Sequence, residues 1–139
     1  AGWALYCGEL MWEEGFLTAD PLARLFQLAH QLTCACLAVV DASLHSGRMG
    51  LAQATPFLCE EAELPEAEAT RAARRCCGAP TAGMSDLVGK LQLRELRDEA
   101  QRRLGARFTL HDFHAALLAS GTLPPALVQE ELWARLGSV

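Results

Sequence analysis

Residues 20–44 read DPLARLFQLAHQLTCACLAVVDASL. Leu22, Leu25, Leu28, Leu32, Cys36 and Val39 recur there at intervals of three or four, and Phe26, Ala29 and Val40 widen the stripe. Residues at that spacing lie one helical turn apart on one face, so the stretch predicts an amphipathic helix over 21–44. Asp20 stands where a side-chain oxygen accepts the first free backbone N–H groups. Pro21 suits the first turn, where a missing N–H loses no bond. Gly47 and Gly50 punctuate the end.

The same grammar repeats outward from this helix. Residues 2–14 read as helical up to Gly15, with no capping residue at the start. Leu51 to Ala62 predicts a shorter helix limited or kinked at Pro56. Pro65 to Cys77 opens on Glu66 and Glu68 and closes on Arg71, Arg74 and Arg75, the order that complements a helix dipole. After a loop over Gly78–Gly83, Ser85 can cap a helix from Asp86 to Leu104, stopped by Gly105. Thr109 caps the next, through Ser120, and Pro124-Pro125 opens the last, Ala126 to Leu136. No alternating run of Val, Ile or Thr marks a strand, and aromatics make up only 6% of a chain dominated by Ala and Leu. The expected fold is all-α: an array of about seven helices with short loops. Its 139 residues suit a single helical domain over 1–139.

Charge and cysteine usage narrow the function. The net charge is −5, and no basic cluster exceeds Arg74-Arg75 or Arg102-Arg103, so a nucleic-acid partner is not expected. The longest apolar run, Leu32 to Val40, is well short of the ~20 residues of a membrane span, so none is expected. Cys34 and Cys36 point to different faces of one helix, and the adjacent Cys76 and Cys77 would close a strained ring. With ample apolar content, the chain needs no disulfide staple. Free thiols and a cytoplasmic location are expected.

The strong local signatures of chemistry are missing: no G-x-S-x-G, no P-loop, no G-x-G-x-x-G and no H-E-x-x-H. His45 follows Asp41 by four residues, so both share a helix face, and the carboxylate can orient the imidazole. The same spacing suits two solvated residues near a helix end. His111 and His114 lie three apart without an evident third metal ligand, and His30 has no partner in sequence. Trp3, Tyr6 and Trp12 crowd the first helix in the manner of a core stripe.

Five segments in register resemble a bacterial family catalogued as a domain of unknown function, whose full-length members look like zinc metallopeptidases of the H-E-x-x-H class. Gly2-Trp3-Ala4-Leu5-Tyr6 is similar to its E-G-W-A-L-Y, and Val39 through His45 to its V-V-D-T-G-I-H. Arg75, Pro80, Ser85 and Gly89 fit R-Y-x-x-x-P-G-Q-A-L-S-Y-x-x-G, and Leu93, Leu96 and Arg97 fit the next helix. Phe113, His114, Gly121 and Pro124 fit F-D-L-R-D-F-H-D-x-x-L-x-x-G-x-L-P.

The resemblance implies the C-terminal helical region of a larger zinc-peptidase-like fold. Such a region lacks the H-E-x-x-H metal site and is inactive alone. It implies zinc in the parent protein but no cofactor in this chain. It places His45 as an oxyanion donor, Asp41 as its orienter, and Trp3, Tyr6, Ser85 and Asp86 against a peptide substrate. The partner it implies is the parent's missing N-terminal half. Trp3, Tyr6 and the stripe of the second helix would then be exposed, and able to make a homo-oligomer. The sequence differs from the family pattern at Ala1 (Glu), Cys76 (Tyr), Ala82 (Gln) and Asp86 (Tyr). Those differences keep an alternative open: a degenerate, non-catalytic member acting as an interaction or structural module.

Overall fold

The computed structural model describes residues 2–16, 18–123 and 125–136, and of residues 125 and 126 only the backbone. Ala1 and Pro124, both used in the sequence reading, lie outside the described residues. Seven α-helices follow in order: α1 Trp3–Glu13, α2 Pro21–His45, α3 Leu51–Glu61, α4 Glu66–Gly78, α5 Ser85–Leu104, α6 Leu110–Ala119 and α7 Pro125–Leu136. A 3₁₀ turn, Gly105–Arg107, separates α5 from α6, and no strand occurs among the described residues. The fold is all-α, as the periodicity predicts. The helices form two compact units, residues 1–91 and 92–139.

In the first unit α2 packs against α3 and α4. Its core joins Cys36 and Val40 of α2, Ala54 and Leu58 of α3, and Ala69, Ala72, Ala73 and Cys76 of α4. Four of these eight are alanines, and small side chains at a helix contact let the axes approach closely. Leu58 and Val40 are fully buried, each worth about 1.5–3 kcal/mol of transfer free energy. Asp20 caps α2 as its position predicts, accepting from the N–H of Leu22 at 2.9 Å. Gln53 caps α3, its Oε1 accepting from the N–H of Gly50 at 2.9 Å. Helix α3 runs through Pro56 rather than ending there. Pro56 lies on the exposed face of the helix.

The predicted stripe of α2 does not all turn inward. Cys36 and Val40 are buried, but Leu22, Leu25 and Leu32 are exposed, and Phe26 is 72% exposed. By length and composition α2 is long and apolar enough to cross a membrane, whereas the shorter run Leu32 to Val40 pointed the other way. In the fold it is a packing partner of α3 and α4, with a buried carboxylate at Asp41.

Helix α1 is seated by a polar cluster that no local pattern announces. The ammonium of Lys90, a buried residue, pairs with the Glu9 carboxylate and donates to Gln31 Oε1 at 2.9 Å. The three residues come from α5, α1 and α2. Removing one partner of a buried pair strands the other in a poorly solvated place. Lys90→Met is therefore expected to lower stability by about 3 kcal/mol, and adding Glu9→Gln should recover most of that loss. Urea unfolding of the two variants checks this, and an unchanged midpoint for Lys90→Met would refute it.

The second unit has its own core. Leu96 and Ala100 of α5, Phe113 and Leu117 of α6, and Val128, Leu132 and Leu136 of α7 are buried together. Thr109 caps α6 as predicted, its hydroxyl oxygen accepting from the N–H of Asp112 at 3.0 Å. His114 is half-buried beside Phe113, at 5.3 Å between ring centroids. Burial, then the Arg97 charge, holds its pKa below the ordinary histidine value. His111 is exposed, its ring 3.1 Å from the Asp112 carboxylate. His30 is exposed too, with its ring nitrogen 3.8 Å from the Cys34 sulfur.

Candidate functional site

Asp41 is the organising residue of the first unit. It is 1% exposed, on the face of α2 that meets α4 and the turn after it. Oδ1 accepts from the N–H of Thr81 at 3.1 Å, and Oδ2 from the N–H of Gly83 at 2.8 Å. Oδ1 also lies 3.3 Å from His45 Nε2, one helical turn on. A single buried carboxylate therefore ties the turn over 79–84 to α2. Gly83 fits because it lacks a side chain. A Cβ there would stand about 3.0 Å from Cys76 Sγ and from the carbonyl oxygen of Leu37, and 3.1 Å from Asp41 Oδ2.

His45 meets Asp41, as their spacing predicts, but its chief partner is another group. Nε2 lies 2.9 Å from the carbonyl oxygen of Cys76. A carbonyl and a carboxylate both accept, so Nε2 carries a proton. Nδ1 is then the atom left to act outward, and it donates only when the ring holds both protons. The imidazole is 34% exposed, not enclosed in the core.

The turn held by Asp41 forms one side of a cavity of about 530 Å³ between α2 and α4. Leu37, Ala72, Ala79 and Ala82 make much of its wall, with the thiols of Cys34 and Cys76. Arg75 and Asp86 supply its charges. Burial, then the Asp41 charge, pushes the Cys76 thiol above the ordinary thiol value. Burial, then the Asp86 charge, does the same to Cys34. Both are therefore neutral thiols at physiological pH, poor nucleophiles and poor metal ligands. All six cysteines are unpaired. Brief alkylation at pH 7.5 should label the exposed Cys77 well before the buried Cys34, Cys36 and Cys76, and all six should react after unfolding. Peptide mass spectrometry reads the order, and early labelling of Cys76 would contradict it.

The other residues predicted for the site have structural partners. Asp86 lines the cavity, but its Oδ1 also accepts from the N–H of Gly2 at 3.1 Å, so it caps α1 from across the unit. Ser85 donates to the carbonyl of Ala82 at 3.0 Å. Trp3 and Tyr6 meet at 5.8 Å between ring centroids. Trp3 is 37% exposed, as expected, but Tyr6 is 1% exposed, against the expectation that it would be bare. The reason is a close approach of Gly2 to Gly89, which brings the first turn of α1 onto α5. Trp3, Tyr6, Ser85 and His45 are not among the cavity's lining residues. Arg75 is, and the sequence marked it only as a match to the family's R-Y segment and as a cation at the end of a helix, without a binding role.

Among the described residues no group of three or more His, Cys, Asp or Glu side chains is placed to hold a metal ion. The described residues do not fit a zinc site.

These features define a helical module with a small, mostly apolar, bipolar cavity shaped by one buried carboxylate. The chain belongs to the bacterial family of proteins of unknown function DUF885, whose model matches residues 1–132. It is similar to the crystal structure of "the putative lipoprotein from Colwellia psychrerythraea", with a TM-score of 0.94 and 30% sequence identity. That likeness covers 99% of this chain and 24% of the other, so this chain spans about a quarter of that protein's length. No curated protein matches the chain.

Proposed function

We propose that this chain is the C-terminal helical part of a zinc-metallopeptidase-like protein and is inactive as a peptidase by itself. In this reading a metal-binding half lies elsewhere in the parent, and the chain supplies a wall of the peptide cleft. The observation that carries it is the Asp41–His45 pair, in contact at 3.3 Å on the segment that resembles V-V-D-T-G-I-H. The likeness to a quarter of a much longer protein supports it. So does the exposed apolar face of α2 around Phe26, the face we assign to the rest of the parent. In isolation the same face would favour self-association. The unpaired thiols support a reducing, cytoplasmic setting.

His45 acts here as a donor from Nδ1 to a developing oxyanion, with Asp41 and the Cys76 carbonyl fixing the proton on Nε2. Loss of one oxyanion donor costs about 10²–10³ in rate. His45→Ala in the longer protein should therefore cut peptide hydrolysis by about that factor. Because the ring is partly exposed and makes few core contacts, stability should fall by only about 1 kcal/mol. Hydrolysis by the longer protein that His45→Ala leaves unchanged would sink the reading.

A second reading has a specific observation in its favour. Asp86 stands where the resembling family has a tyrosine, and its carboxylate serves as the cap of α1. A carboxylate repels an oxyanion that a phenol would stabilise. A non-catalytic scaffold accounts for that exchange, and a parent without H-E-x-x-H ahead of Gly2 would establish it.

A further inference from the structure

We propose that the cavity between α2, α4 and the turn over 79–84 is a binding site for a small apolar carboxylate, whose charge pairs with Arg75. This inference stands on the cavity alone and does not rest on the peptidase reading. At about 530 Å³ the cavity falls within the usual range of small-molecule sites, about 300–1,000 Å³. Its wall is largely aliphatic, with two thiols that burial keeps neutral. Such a wall accepts an apolar body and offers it no strong hydrogen bond.

The charges fix the rest of the ligand. The Arg75 guanidinium has no acceptor among the described residues, whereas Arg71, one turn earlier on α4, reaches Glu68 at 3.9 Å. Arg75, an exposed residue, also lines a neighbouring cavity of about 210 Å³. A planar guanidinium matches a carboxylate through two parallel N–H···O bonds, which favours a carboxylate over a point anion. The Asp86 carboxylate in the same cavity disfavours a second negative charge on the ligand. The ligand is therefore a monocarboxylate on an aliphatic body: a free short-chain acid or the C-terminus of a peptide ending in an apolar residue.

Amide chemical shifts of the 139-residue chain test this. The probes are 4-methylpentanoate and N-acetyl-Ala-Leu, with their carboxamides and N-acetyl-Ala-Glu as controls. The acids should shift the amides of residues 78–83 other than Pro80 and bind at least about tenfold tighter than the carboxamides, the usual worth of a charge-assisted pair. N-acetyl-Ala-Glu should bind more weakly than N-acetyl-Ala-Leu. Arg75→Gln should abolish the preference for acid over amide, Arg75→Lys should keep part of it, and Arg74→Gln, on the same helix but outside the cavity, should leave it intact. Tighter binding of the peptide assigns a peptide terminus, and tighter binding of the free acid assigns a small metabolite. Equal binding of acid and amide by the unaltered chain, no shift at residues 78–83, or a preference surviving in Arg75→Gln would overturn the proposal.

Discussion

Asp41→Ala is expected to lower the stability of the first unit by about 3–5 kcal/mol, the range for breaking a buried charged network. The carboxylate is 1% exposed and accepts from Thr81 at 3.1 Å and from Gly83 at 2.8 Å. A hydrogen bond to a charged group is worth about 1.5–3 kcal/mol, so two such bonds already account for the range. The turn also carries strain of its own. Thr81 adopts φ of 72°, a left-handed conformation that costs a non-glycine residue roughly 1–2 kcal/mol. Once the carboxylate is gone, the turn over 79–84 should relax, and the cavity wall with it. Asp41→Asn keeps the volume and one acceptor oxygen, so it should cost about half as much. Urea midpoints rank the three proteins, and amide exchange at Thr81 and Gly83 reports the turn. An Asp41→Ala protein with the midpoint and exchange of the parent would show that these bonds do not hold the turn.

Which parts of this arrangement could be read from the sequence follows from how far apart the partners lie. The seven helices were legible because their signals are local: the three-four spacing in α2, Asp20 before Pro21, and Thr109 before α6. The Asp41–His45 contact was legible for the same reason, as one helical turn separates the two residues. The bonds that give Asp41 its main structural task were not, because Thr81 and Gly83 are 40 and 42 residues away. The missing cap of α1 was noticed, but its source, Asp86, lies 84 positions along the chain. Lys90, Glu9 and Gln31 form a similar case, since each alone looks like an ordinary polar residue on a helix. The stripe of α2 shows the opposite limit. Periodicity establishes that Leu22, Leu25 and Phe26 share a broad face, but not that anything covers it. Arg75 matched the family segment, but nothing local marked it for a cavity, because a cation in the last turn of a helix is already explained by the helix dipole.

Gly2→Ala should be as damaging as the loss of Asp41, costing about 4 kcal/mol, through geometry instead of charge. Gly2 is buried at φ of 79°, where an L side chain is strained by roughly 1–2 kcal/mol. A Cβ there would lie 2.4 Å from the carbonyl carbon of Gly89, 2.5 Å from the nitrogen of Lys90 and 2.6 Å from the Gly89 Cα. These are backbone atoms inside α5 and cannot rotate away. Helix α1 would have to lift from α5, stretching the 3.1 Å bond from the Gly2 N–H to Asp86 and loosening the Lys90–Glu9 pair. Tyr6 and Leu5, both buried, would lose part of their cover. The cost is capped by the free energy of undocking α1, so Gly2→Ala should also speed amide exchange along Trp3–Glu13 more than along α3 or α4. Gly8→Ala, in the same helix, supplies the contrast. A Cβ at Gly8 would find only the Gln27 side chain, at 3.9 Å, so the change should stabilise the helix by about 0.5–1 kcal/mol. Opposite shifts of the urea midpoint for the two variants are the expected result. A Gly2→Ala protein as stable as the parent would mean that the approach of Gly2 to Gly89 is not what seats α1.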